Sequence, residues 1–502
     1  MKVDLILSKD FQVCKIDDRI YSSFVEHMGR SVYNGIYEPT HPTADANGFR
    51  EDVKELIKPL NIPMIRYPGG NFLSGYRWED GVGPRSERPR VLDPAWKQLE
   101  PNEVGTDEFH AWAEEMGAEV MMAVNLGTRG TEEAGQLLEY CNLDTDSKYA
   151  NMRVKNGRKK AYKDPVWCLG NEMDGPWQIG ARTPEDYADI ARKTANYMKK
   201  IDPDAELVAC GSSKHIMKTF GEWETVVLNQ CYDQVDYISL HLYITDFKEN
   251  DAEYLGASVG MDQFIRTVIS ICDAVGGRLR SSKKVNLAFD EWNVQPKYTK
   301  CDNKLSPWEI GPAREEYRFC LLDALVFGTM MNSLLRHADR VKIACFAQLV
   351  NVCAPIMTVN GGIAWKQTTY YPFYYASNYG RGILLDQRLN CPTYEAGKYG
   401  EAPYVDTVAV YRPEEKEICI FAINRSENEA AELKTKLGEF GKCSLIEHVV
   451  LESDDPHAQN SETEPDRVTP KTVTDRAKVC DGAATVDLKP LTWNIIRIKT
   501  EQ

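Results

Sequence analysis

Short apolar runs alternate with longer segments of helical periodicity along roughly the first three quarters of the chain. The runs Ser23–Glu26, 63–67, 120–124, 166–169, 207–210, 237–240, 285–291 and 343–346 read as strands. Between them Phe49, Val53, Leu56, Ile57 and Leu60 recur at helix spacing, and further helices are expected over 106–116, 131–141, from Thr183, over 261–275 and over 315–335. Thr106 reads as an N-cap with Gly117 ending its helix, and Thr183-Pro184-Glu185-Asp186 as a capped start. Helical periodicity alone also suits a doubly wound sheet, but eight strand-helix units in one run favour an α/β fold closed as a (β/α)8 TIM barrel over 18–380. Past residue 380 the texture changes to short alternating strands (407–411, 417–423, 444–450, 484–488, 493–498) between Asn, Gly, Pro and charged turns. These predict a C-terminal antiparallel β-sandwich, jelly-roll-like, built from 381–502 with residues 1–17 joining it. Residues 453–472, rich in Asp, Glu, Ser and Pro, are expected to be a mobile loop.

Composition narrows the picture. The chain has 502 residues, enough for a large domain and a smaller one, and its formal charge of −15 argues against a nucleic-acid or anionic-membrane partner. Residues 1–30 show no apolar segment behind a basic start, and no apolar run is long enough to span a bilayer. The 14 cysteines are scattered, without CxxC pairs, and read as reduced core residues of a cytoplasmic protein. The 10 Trp and 25 Tyr suit a surface for flat polar ligands such as sugars, although most single aromatics belong to a core.

Polar residues gather at the predicted strand C-termini: Glu26, Asn71, Asn125, Glu172, Tyr243, Glu291 and Gln348. That end of a barrel carries the chemistry. Two stretches share one grammar, Trp167-Cys168-Leu169-Gly170-Asn171-Glu172 and Leu287-Ala288-Phe289-Asp290-Glu291-Trp292. Each is an apolar strand closing on a glutamate, and two such carboxylates about 5 Å apart suit a retaining glycosidase. Apolar walls near Glu172 are expected to raise its pKa, as an acid requires, while Arg66 and Tyr243 are candidate donors keeping Glu291 ionised. Asn171 is placed to bond a sugar hydroxyl. His27, His215, His241 and His337 show no ligand spacing, so no metal is expected, and His241 reads as an orienting or packing residue. Neither a phosphate loop nor a GxSxG elbow is present.

The segments Phe24-Val25-Glu26-His27-Met28-Gly29-Arg30, Ile65-Arg66-Tyr67-Pro68-Gly69-Gly70-Asn71-Phe72, His241-Leu242-Tyr243 and Ala347-Gln348-Leu349-Val350-Asn351, with the two glutamate motifs, resemble the α-L-arabinofuranosidases of glycoside hydrolase family 51, clan A. The resemblance spans the barrel and extends to Leu491-Thr492-Trp493-Asn494 in the sandwich. It implies Glu172 as acid/base, Glu291 as nucleophile and Arg66 as the nucleophile's support. Glu26, Asn71, Asn171, Tyr243 and Gln348 would ring the arabinofuranose, with Trp96 nearby. It also implies retaining exo-hydrolysis of terminal arabinofuranosyl groups from arabinan or arabinoxylan fragments, no cofactor, and a homo-oligomer, commonly a hexamer. One departure stands out: Gln295 and Pro296 follow Asn293-Val294 where the family often has Trp, which predicts weaker stacking beyond the scissile bond. A clan A β-xylosidase or endoglucanase using the same two glutamates remains open at this point, as does a carbohydrate-binding protein on an inactive barrel.

Overall fold

The computed structural model describes residues 1–246, 250–297, 306–480 and 482–501. Eight parallel strands close into a barrel: β1 Ser22–Phe24, β2 Met64–Tyr67, β3 Glu119–Val124, β4 Val166–Leu169, β5 Glu206–Ala209, β6 Tyr237–Asp246, β7 Asn286–Pro296 and β8 Val341–Ala347, with β8 pairing back on β1. Inside it lie Phe24, Met64, Met121, Val166, Cys168, Val208, Ala288, Ile343 and Cys345, a filled core rather than a channel. Outside, the strands' other faces pack against the helices in one continuous apolar cluster.

β6 follows the expected continuation through His241 and Tyr243 and runs on to Asp246, while β7 runs well past the expected end at Glu291, so Glu291 lies inside a strand rather than at its tip. The pairing of β6 with β7 shifts register between Ser239 and His241, and that of β7 with β8 between Phe289 and Trp292. A regular strand sends neighbouring side chains to opposite faces, and an irregularity lifts that restriction. Asp290 and Glu291, adjacent in sequence, both reach Arg66 of β2 in consequence.

Several helix ends differ from expectation. The second main helix, Thr106–Glu115, is capped at Gly105, not Thr106; Glu108 accepts the Gly105 N–H at 2.9 Å. Only glycine fits there, since a Cβ would stand 1.7 Å from the Gly81 carbonyl oxygen. The helix expected over 315–335 begins at Leu321, because Glu315 is left-handed (φ 49) and Asp323 takes the Cys320 N–H at 2.7 Å. Thr183 caps Pro184–Ile201 through Asp186 N–H at 3.2 Å.

Besides three two-stranded ribbons, the other strands form a five-stranded and a seven-stranded sheet stacked over a second core of Val3, Leu5, Leu7, Ala409, Ile420, Leu433, Val486 and Ile496. Lys2–Ser8 lies in the first sheet and Gln12–Lys15 in the second. The sandwich is not wholly antiparallel: Lys2–Ser8 runs parallel to Ala431–Gly438, a strand the sequence reading did not pick out. The barrel helix Leu321–Arg336 carries the sandwich. Asp406 of strand Val405–Arg412 accepts from Asn332, Arg336 and Arg425, and Trp493 packs against Gly328.

The stretch expected to be a mobile loop is docked instead. Ala458 and Pro456 carbonyls accept the Leu321 and Leu322 N–H groups, each at 3.1 Å. Asn460, fully buried, holds the carbonyls of Lys366 and Val468. Its polar composition was read as solvation, yet these groups satisfy otherwise unpaired N–H groups at the buried start of a barrel helix.

Candidate active site

A cavity of about 570 Å³ opens at the C-terminal ends of the strands, lined by Glu26, Asn71, Trp96, Glu172, Tyr243, Glu291 and Gln348 among others. Arg66 and Asn171 lie buried directly behind it. All nine residues singled out from sequence are thus brought together. Asn125, the other strand-end residue, is not with them: its amide nitrogen donates to the Tyr76 carbonyl and Thr128 hydroxyl and holds a loop.

Glu291 is held by two donors, Arg66 Nη1 at 2.7 Å and the Tyr243 hydroxyl at 2.8 Å. Arg66 reaches past it to Asn171 Oδ1 at 2.8 Å and Asp290 Oδ2 at 3.3 Å, with its guanidinium over the Phe24 ring. Asn171 Nδ2 faces Asn71 Oδ1 at 3.3 Å. Glu26 accepts the Phe72 and Trp96 N–H groups, each at 2.9 Å, and its own N–H donates to Gln348 Oε1 at 3.0 Å. Gly69-Gly70 matters through space: a Cβ on Gly70 would lie 2.7 Å from Glu26 Oε2. Glu172 has a left-handed backbone (φ 43), a conformation costly for a side-chain-bearing residue and typical of functional positions. Its carboxylate accepts the Trp177 indole N–H at 2.6 Å and lies 3.0 Å from His241 Nδ1. One oxygen of Glu172, one of Glu291 and a His241 ring nitrogen all lie within 4.8 Å of one another.

The electrostatics overturn one expectation. Burial works to raise the pKa of Glu172, but the hydrogen bond and charge of His241, with the Trp177 N–H, outweigh it and hold the carboxyl below its ordinary value. For His241 burial favours the neutral ring, yet Glu291, Asp290 and Glu172 around it push its pKa well up. His241 Nε2 lies 3.3 Å from Asp290 Oδ1, and burial of Asp290 is outweighed by Arg66 and His241, which keep it low. Glu26 is the group shifted upward: burial, then the charge of Glu291, raise it to about 8 despite its two N–H donors. Burial also raises Tyr243 well above its usual range, reinforced by Glu291, so it stays a protonated donor.

Sequence reasoning missed Asp290 as a member of the constellation, and His241, read as an orienting or packing residue, was not foreseen as the charged partner of Glu172. The Asp-Glu pair was visible, but strand alternation points one of the two away, and only the register shifts bring both inward. A second cluster, His110, Cys141 and Asp164, also has metal-ligand chemistry, buried under the barrel wall. There His110 Nδ1 is bonded to the Thr106 carbonyl at 2.7 Å and Nε2 to both Asp164 oxygens at 2.9 Å, so hydrogen bonds already account for the ring.

Comparisons with known proteins agree with this geometry. The profile of the α-L-arabinofuranosidase 1 domain matches residues 56–256, and that of the α-L-arabinofuranosidase C-terminal domain matches 290–492. An intracellular exo-α-(1→5)-L-arabinofuranosidase of Halalkalibacterium halodurans is 49% identical over 494 residues, covering 98% of each chain. An exo-α-(1→6)-L-arabinofuranosidase of Bifidobacterium longum is 46% identical, over 99% of this chain and 97% of its own. The solved family 51 α-L-arabinofuranosidase AbfB of Bifidobacterium longum superposes with a TM-score of 0.94 at 40% identity, covering 99% of both chains. The chain therefore belongs to the α-L-arabinofuranosidases of glycoside hydrolase family 51.

Proposed function

We propose that the protein is a retaining exo-α-L-arabinofuranosidase that releases terminal arabinofuranosyl groups from oligosaccharides inside the cell, with Glu291 as nucleophile and Glu172 as acid/base. The observation that carries this reading is the approach of one Glu172 and one Glu291 oxygen to within 4.8 Å at the base of the pocket, the short spacing of double-displacement enzymes. Arg66 and Tyr243 hold Glu291 as a carboxylate aimed at the anomeric carbon. Glu26, Asn71 and Gln348 bond the sugar hydroxyls, with Asn171 held by Arg66 at the back of the ring. Glu26, carrying a proton below about pH 8, offers a donor as well as an acceptor.

Glu172 and His241 share the proton the two steps need. With the proton on Glu172, it passes to the leaving oxygen as Glu291 attacks. That transfer leaves Glu172 as the carboxylate that takes a proton from water when the ester to Glu291 breaks, which restores the starting proton count. His241, held protonated beside the depressed Glu172, is the reservoir from which that proton reaches Glu172 before the first step. Gln295 pairs with Thr245 on the pocket wall, leaving Trp177, 42% exposed beside Glu172, as the aromatic face at the leaving-group end. The similar proteins act on (1→5) and on (1→6) linkages at nearly equal identity, and we take short arabino-oligosaccharides of either linkage as the substrate class. Self-association into a homo-oligomer belongs to the same proposal, and native mass spectrometry measures it.

The test is hydrolysis of p-nitrophenyl α-L-arabinofuranoside beside the β-D-xyloside and β-D-glucoside. Release from the arabinoside alone is expected, abolished in Glu291→Ala and rescued by azide in Glu172→Ala. Turnover of the xyloside or glucoside alone would overturn the sugar, and full activity of either variant would overturn the roles.

A further inference from the structure

The loop after β5 closes one side of the pocket mouth with Lys214, His215 and Ile216 and has no role in the scheme above. It is pinned by Asp174, two residues past Glu172. The Asp174 carboxylate accepts the Ser213 N–H at 3.0 Å and the Ser213 hydroxyl at 3.2 Å. Lys214, next in the chain, then stands with its ammonium 4.5 Å from the centroid of the Trp177 ring. Trp177 is the residue whose N–H bonds Glu172 at 2.6 Å. The indole lies tight against its own loop, since a Cβ on Gly175 would come within 2.6 Å of it. Lys214 is exposed and forms no ion pair among the described residues. A cation over an indole face is attracted to the ring and polarises it, which strengthens the N–H as a donor.

We propose that Lys214 is a positioning residue for the acid/base: seated on Trp177, its ammonium keeps the indole bonded to Glu172 and favours the carboxylate form needed in the second step. This rests on the assignment of Glu172 above. The other charged or titratable groups facing Glu172 are His241 from β6, Glu291 from β7 and Asp174 from its own loop. His241 supplies positive charge from within the barrel, and Lys214 supplies it from the solvent side. His215, beside Lys214, adds none near neutrality, because burial and then the charge of Lys398 hold its pKa below the ordinary value. The two cations differ in kind, since an exposed ammonium is screened by salt whereas a buried imidazolium is not.

The test follows kcat/KM against pH for arabinobiose, a substrate whose poor leaving group needs the acid. In Lys214→Met the alkaline limb is expected to move up by about 0.3–0.7 pH unit, and in Lys214→Arg to stay at the wild-type position. Raising NaCl from 0.05 to 0.5 M should shift the wild-type limb the same way and leave Lys214→Met unmoved. An unshifted limb in Lys214→Met with a raised KM would overturn the proposal and make Lys214 a mere contact to the leaving sugar. Glu172→Ala is run in parallel: retention of its alkaline limb would overturn the acid/base assignment itself, a failure distinct from the first.

Discussion

Tyr243→Phe isolates one hydrogen bond at the nucleophile. The phenol donates to Glu291 Oε2 at 2.8 Å, while Arg66 holds the other oxygen and the tyrosine ring is packed and partly buried. Phenylalanine keeps the ring, so packing is unchanged. A hydrogen bond to a charged group contributes about 1.5–3 kcal/mol, and water entering the gap returns part of that. Taking the lower figure, the carboxylate loses about 1.5 kcal/mol of stabilisation. The same loss falls on the second step, where the departing carboxylate re-forms, and kcat should drop about tenfold. Stopped-flow release of p-nitrophenol from the arabinofuranoside should show a burst as the glycosyl-enzyme accumulates. Equal falls in kcat and kcat/KM with no burst would refute the reasoning and place the hydroxyl on the sugar instead.

Glu26→Gln should keep KM within about tenfold of wild type below pH 8 and remove any wild-type change in KM near that pH, because Gln mimics the protonated acid and cannot ionise. A carboxyl raised from 4.5 to about 8 loses stability as pH rises through that window, so the variant should resist urea better at pH 8–9, by on the order of 1–2 kcal/mol. Gly70→Ala puts a Cβ 2.7 Å from Glu26 Oε2 and should lower kcat/KM about 10–100-fold with an unchanged circular dichroism spectrum. Gly328→Val, whose Cβ would meet Trp493 at 2.7 Å between barrel and sandwich, should cost about 1–3 kcal/mol in urea unfolding and leave turnover per folded molecule intact.

The barrel and its two glutamates were legible because the sequence carries them locally: an apolar strand, a polar terminus and a turn signal within a few residues. Arg66, Glu26 and Gln348 were legible through their segments, which resemble the family. The pKa of Glu172 was not, because its depression comes from His241, 69 residues away on another strand, and no local pattern says which groups a closed barrel sets face to face. Asp290 was hidden by the alternation rule that usually serves well, which the register shifts of β7 suspend. Lys214 sits in a polar loop without a motif, and only the fold lays it on Trp177. The helix start at Leu321 and the docked stretch within 453–472 were misread together, since each supplies the other's missing partners.

That last pairing bears on portability. Carbonyls from the far half of the chain finish the helix Leu321–Arg336, and the residues leading into that helix include Glu315, which lines the pocket. The barrel is therefore not a cassette that can be cut out at residue 380 and fused elsewhere. A truncated enzyme would keep every residue that touches sugar, yet lose the brace on the wall beside them. Grafting schemes for this scaffold should move both halves together and vary the loops at the mouth instead.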